Sequence, residues 1–123
     1  MGDGRRAMMS GALLAALGIG LGAFGAHGLK AALSAEALGW WQTAVQYQMW
    51  NAVGLVALGA AGLPRARVPA LLILAGTALF SGSLYAMALG GIRWPGAVAP
   101  VGGLLMIAGW LTAAWRARQT PRP

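Results

Sequence analysis

Few side chains in this sequence can do chemistry. His27 is the only histidine, Asp3 and Glu36 are the only acids, and there is no cysteine. An imidazole titrates near neutral pH, so His27 is the one candidate proton carrier. A membrane enzyme built on it would need Tyr47 or Ser83 within hydrogen-bond reach. Ser81 and Ser83 offer hydroxyls but have no base or orienting acid on their own stretch. The missing cysteine removes thiol nucleophiles, iron–sulfur clusters, c-type haem attachment and disulfides. One histidine lacks the companions of a protein-only metal site. Two acids that both lie outside the apolar stretches make neither a carboxylate pair nor a hard-cation cage. The expectation is no catalytic residue, no metal and no cofactor.

A second group is polar without being reactive. Gln42, Thr43, Gln46, Tyr47, Gln48 and Asn51 crowd one stretch. At about 100° per residue, Thr43, Gln46, Tyr47, Trp50, Asn51 and Gly54 share one helical face, and Gln48 points elsewhere. Polar groups at membrane depth are costly, so that face must turn inward or toward a partner. It would either hydrogen-bond to neighbouring helices, at ~0.6–2 kcal/mol per contact, or line a site for a ligand or lipid head group. With His27, Ser81 and Ser83, the residues Gln46, Tyr47 and Asn51 form the candidate polar face.

The elements that carry these residues follow from composition. Of 123 residues, 59% are hydrophobic and only 9% charged, and the mean hydropathy is +0.67. Soluble domains carry about 25% charged residues, so a water-soluble globule and a disordered chain are both excluded. Stretches free of Asp, Glu, Lys and Arg run from Ala7 to Leu29, Ala37 to Pro64, Val68 to Ile92 and Trp94 to Trp115. Each exceeds the ~20 residues that a helix needs to cross a bilayer. None alternates in polarity as barrel strands do. The prediction is a single all-α integral membrane domain, a bundle of four transmembrane helices over about 7–28, 37–62, 69–90 and 95–115. Gly and Pro punctuate the short connections. Ser34 is placed to cap the second helix, with Glu36 in its first turn. Pro100 either belongs to the first turn of the last helix or kinks it.

With four spans, Arg5, Arg6, Arg65, Arg67, Arg116, Arg118 and Arg122 share one side, against Lys30 and Arg93 on the other. This bias predicts both termini in the cytoplasm. The formal net charge of +7 is then mostly a topology signal. Its basic residues are dispersed beside the spans, which disfavours nucleic acid and favours lipid head groups as the anionic partner. Trp40, Trp41, Trp94 and Trp115 fall at span ends, as interface anchors. The N-terminal stretch has features of a signal peptide, but its apolar run is long for one, and a retained helix is expected.

Twenty glycines call for close helix approach, since lipid supplies little hydrophobic drive between helices. Gly11, Gly18, Gly22 and Gly25 fall on one stripe of the first span. Gly82 sits between Ala78 and Ala86, and Gly102 and Gly103 share a face of the fourth. These glycines are expected to pack helices, with Gly22 and Gly82 as the positions to test.

Four strings carry a resemblance that covers nearly the whole chain. They are Gly25-Ala26-His27-Gly28-Leu29, the run from Thr43 to Asn51, Leu79 to Tyr85, and Ala99-Pro100-Val101-Gly102-Gly103. Together they resemble the YgdD-like family of small four-helix bacterial inner-membrane proteins, also called domain of unknown function four-two-three. The resemblance implies four helices and plasma-membrane residence, and no established activity. Asn51 stands where the family pattern suggests His, so a histidine pair with His27 cannot operate in this chain.

The expected function is therefore a non-enzymatic accessory or structural role. It would be exercised through self-association or a larger membrane complex. The alternative is a small oligomeric transporter or a lipid- or small-molecule-binding protein. Small multidrug exporters are similar in size only, because they use a carboxylate in the first span and this one has none.

Overall fold

The computed structural model describes residues 2–119, so Arg122 lies outside the described residues. Four α-helices follow one another: α1 Asp3–His27, α2 Ala35–Ala60, α3 Arg67–Gly90 and α4 Ala99–Arg118. A short 3-10 turn, Trp94–Ala97, precedes α4, and there is no strand among the described residues.

Local chemistry sets the helix ends. The Ser34 hydroxyl accepts the Ala37 backbone N–H at 3.1 Å, which satisfies one of the orphan donors at the start of α2. Gly91 ends α3 in the left-handed region at φ 65°, a conformation that a Cβ disfavours. Pro100 falls in the first turn of α4, where its missing N–H costs no helical hydrogen bond.

Neighbouring helices run antiparallel. Gly4 meets Gly59 and Gly25 meets Trp41 across α1 and α2. Ser81 of α3 reaches Ala44 of α2. Gly76 of α3 lies against Gly102 and Met106 of α4, and Gly109 against Ile73. The packing order is α1 on α2, α2 on α3 and α3 on α4, with α1 touching α3 lightly. Helix α4 has no Cα within 8 Å of one in α1 or α2. The α2–α3 pair is thus the centre, and α1 and α4 are its two flanks.

Both ends of the bundle are tied. At one, Arg93 donates to Glu36 at 2.6 Å and lies 5.3 Å from the Trp40 ring centroid. The pair is exposed, so it contributes ~1 kcal/mol or less. At the other, Arg116 donates to the Arg65 carbonyl, and the Arg65 guanidinium donates to Gln119 Oε1 at 3.2 Å.

Three segments are long and apolar enough to cross a membrane: Asp3–His27, Arg67–Gly90 and Trp94–Arg118. Helix α2, with 26 residues, is long enough but too polar to join them by composition. Its Gln42, Thr43, Gln46, Gln48 and Asn51 lower its hydropathy.

Glycine packing departs from the expected pattern. Gly11, Gly18 and Gly25 are buried against α2, and a methyl at Gly22 would meet Val45 at 3.2 Å. Gly102 is buried against the α3 backbone. Gly82 and Gly103 do not pack helices within this chain: a methyl at either would meet nothing within 4 Å. Sequence spacing put Gly82 on an Ala/Gly stripe, but that stripe faces outward, as the exposure of Ala78, Gly82 and Ala86 shows. The tightest seam of α3 instead uses Gly76, where a methyl would lie 2.6 Å from the Met106 nitrogen.

Overpacking a tight seam costs ~1–3 kcal/mol. Gly76→Val and Gly102→Val should each lower stability by about that amount in denaturant titration of the detergent-solubilised protein. Gly82→Ala should leave the midpoint unchanged or raise it slightly.

Candidate functional site

The polar residues converge on the middle of α2, which lies between α1 and α3. Two amides organise them. Gln48, only 3% exposed, donates from Nε2 to the Leu14 carbonyl of α1 at 2.9 Å. Its Oε1 accepts the Tyr85 hydroxyl of α3 at 2.7 Å. One side chain therefore joins three helices. Asn51, one turn further along, donates from Nδ2 to the Tyr47 carbonyl at 2.8 Å and lies 3.2 Å from Met106 Sδ. Its Oδ1 accepts the Trp110 indole N–H of α4 at 2.8 Å.

Other groups complete the pattern. Trp41 donates from its indole to the Leu21 carbonyl at 2.8 Å and packs edge-on to Tyr85 at 4.6 Å. Ser81 donates to the Ala44 carbonyl at 2.7 Å. Ser83 donates to Phe80 of its own helix at 2.8 Å, as Thr77 does to Ile73 at 2.7 Å. Among the described residues, no buried side-chain nitrogen or oxygen lacks a partner. Such satisfaction is what a low-dielectric interior demands.

Several sequence expectations change at this point. The face drawn through Gln46, Tyr47, Trp50 and Asn51 divides. Asn51 is buried and Tyr47 half-buried, but Gln46 and Trp50 are exposed. Gln48, expected to point elsewhere, is the central polar residue. The α2 surface that meets α1 and α3 is rotated from the most polar arc, because glycines of α1 draw Trp41, Val45, Gln48 and Met49 toward them. Trp41 is buried at 2% exposure and is a packing residue, unlike the exposed Trp94 and Trp115. His27 is exposed at the end of α1 and has no hydrogen bond to Tyr47 or Ser83. Among the described residues, no three of His, Cys, Asp and Glu gather in one place.

Sequence reasoning missed Trp110 and the groove beside it. Because α4 leans on α3 alone, a gap of about 580 Å³ separates it from α2. The Asn51–Trp110 bond bridges the gap, and Tyr47, Trp50, Phe80, Met106 and Ile107 are among its walls. Trp50, Ile107 and Leu111 are 58%, 57% and 66% exposed, so the groove opens sideways. Tyr47 is one of the lining residues, and its hydroxyl has no hydrogen-bond partner among the described residues. Only the separation of α2 and α4, which no local pattern encodes, marks this site.

Apolar helices of spanning length around an internally satisfied polar centre define a helical membrane protein. Comparison with known proteins agrees. Residues 21–103 match the family described as "Protein of unknown function (DUF423)". A UPF0382 membrane protein of Staphylococcus haemolyticus is 47% identical over 104 residues, covering 82% of this chain and 85% of that one. The UPF0382 membrane protein YwdK of Bacillus subtilis is 41% identical over 106 residues, covering 82% and 86%. The UPF0382 inner membrane protein YgdD of Escherichia coli is 40% identical over 96 residues, covering 75% and 73%. The chain belongs to this DUF423 family of membrane proteins. No solved structure matches it.

The Gln48–Tyr85 bond should be measurable as a coupling. Gln48→Leu removes contacts to two helices and should destabilise by about 1–2 kcal/mol. In a double-mutant cycle with Tyr85→Phe, the second substitution should cost clearly less in the Gln48→Leu background.

Proposed function

We propose that this chain is a four-span, non-enzymatic protein of the bacterial inner membrane, with both termini in the cytoplasm and an accessory or structural role. One observation carries the non-enzymatic reading. The buried polar side chains already make hydrogen bonds to backbone or to one another, and His27 stands apart from them. A side chain committed to holding helices is not free to move a proton or attack a substrate.

The fourth span rests on packing. Helix α2 is ~39 Å long at ~1.5 Å per residue and lies along both α1 and α3. It therefore crosses wherever they cross. Its Gln48 and Asn51 are buried against protein, which lowers the cost of carrying amides through hydrocarbon. The up-and-down order brings Arg5, Arg6, Arg65, Arg67, Arg116 and Arg118 to one end of the bundle, and Lys30 and Arg93 to the other. That asymmetry favours the arginine-rich end as cytoplasmic.

The natural absence of cysteine allows a direct test of orientation. Ala32→Cys should react with a membrane-impermeant maleimide in intact spheroplasts. Ala61→Cys should react only after lysis. The reverse pattern would invert the topology, and labelling of both in intact spheroplasts would remove α2 as a span.

The role itself is read by native mass spectrometry of protein gently extracted from its own membrane. Larger subunits or a homo-oligomer should accompany it, because its outward apolar faces and lipid-exposed glycines suit association. The groove between α2 and α4 favours a second reading, binding of a lipid-phase small molecule. Its volume lies within the ~300–1,000 Å³ typical of small-molecule sites. A retained small molecule that Gly103→Leu displaces, with no companion subunit, would favour that reading over the accessory role.

A further inference from the structure

A second cleft lies at the arginine-rich end of the bundle, remote from the α2–α4 groove. It opens between the first turns of α1 and α3 and encloses about 160 Å³. Arg6 and Arg67 line it together with Asp3 and Ser10, and Leu71 and Leu74 line it further along α3.

Three features of this cleft suit an anionic ligand. First, Arg6 and Arg67 are exposed, and neither has an ion pair or hydrogen bond among the described residues. Arg116 and Arg65, at the same end, are engaged with each other's segments. Second, α1 and α3 both begin here, so two helix N-termini add partial positive charge of roughly +0.5 each to the two guanidinium groups. Asp3 offsets only part of this, and the lining remains net positive. Third, the walls change character along the helices. Arg67 stands at the first turn of α3, and Leu71 and Leu74 follow one and two turns on. The charged residues stand in the first turns of the two helices, and the lining beyond them is Ala, Leu and one serine, Ser10.

We propose that this cleft binds the phosphate of an anionic phospholipid, with Arg6 and Arg67 on the phosphodiester and the acyl chain descending along Leu71 and Leu74. Arginine suits the task because its planar donor fork matches phosphate oxygens. Asp3, in the first turn of α1, accepts a hydrogen bond from a hydroxyl-bearing head group such as glycerol. A zwitterionic head group brings no net charge to match the positive lining. A free phosphate has no use for the apolar wall. The inference rests on membrane insertion, not on the accessory role.

The test is lipid titration of the full-length protein followed by native mass spectrometry. Phosphatidylglycerol is compared with phosphatidylcholine, and inorganic phosphate is added as a competitor. The expected result is one preferred phosphatidylglycerol per chain that millimolar phosphate does not displace. R6Q/R67Q should weaken it about tenfold or more. R6Q and R67Q alone should each give part of that loss, so the result does not hang on the double variant. R5Q/R118Q removes the same charge from the same end and should change affinity by less than about twofold. Wild-type affinity in R6Q/R67Q, or an equal loss in R5Q/R118Q, would overturn the site. Displacement by phosphate would overturn the lipid as its ligand. Loss of companion subunits with lipid binding intact would count against the accessory role alone.

Discussion

Hydrocarbon offers no hydrogen bonds, and the arrangement of this protein depends on that. Helix α2 carries more amides and hydroxyls than its neighbours, so it is the helix with most to gain from being enclosed. Its position between α1 and α3 lets Gln48 reach Leu14 on one side and Tyr85 on the other. Asn51 extends the same logic to Trp110 of α4. Each of these bonds is modest in lipid, ~0.6–2 kcal/mol. Their value lies in direction: Gln48 and Asn51 meet partners only at this rotation of α2 about its axis, although it leaves Gln46 exposed.

Close approach completes what the polar groups begin. At Gly11 the α1 backbone lies against Ala52 and Val56 of α2, and at Gly102 the α4 backbone lies against Phe80 and Gly76 of α3. Dispersion falls steeply with distance, so removing a Cβ at a seam raises contact along the whole turn. The two seams are on opposite flanks of the central pair. As α4 follows α3 so closely, it stands away from α2. The groove beside Tyr47 is the geometric result of one tight seam and one open one.

The two ends of the bundle differ in chemistry. One carries arginines around the α2–α3 turn, the last turn of α4, and the first turns of α1 and α3. The other is lightly charged, and its Arg93 is occupied by Glu36 and Trp40. At the arginine-rich end, Arg6 and Arg67 line the cleft between the first turns of α1 and α3.

Composition and spacing alone established a helical membrane protein. They also marked the four helices to within a few residues and the cap at Ser34. These features are local: a helix reports its length and polarity residue by residue, and a cap needs only its own first turn. The family was legible for the same reason, through short strings carrying small and polar residues in order. The sequence could also say that polar residues of α2 must be satisfied. It could not say which of them would be, because Gln46 and Gln48 differ only in the direction they face. That direction was decided by tertiary structure, through the glycines of α1 and the hydroxyls of α3. The outward turn of Gly82, the burial of Trp41, the bridge from Asn51 to Trp110, and both clefts arise the same way. Each depends on the distance and rotation between helices distant in sequence, quantities to which many side chains contribute at once.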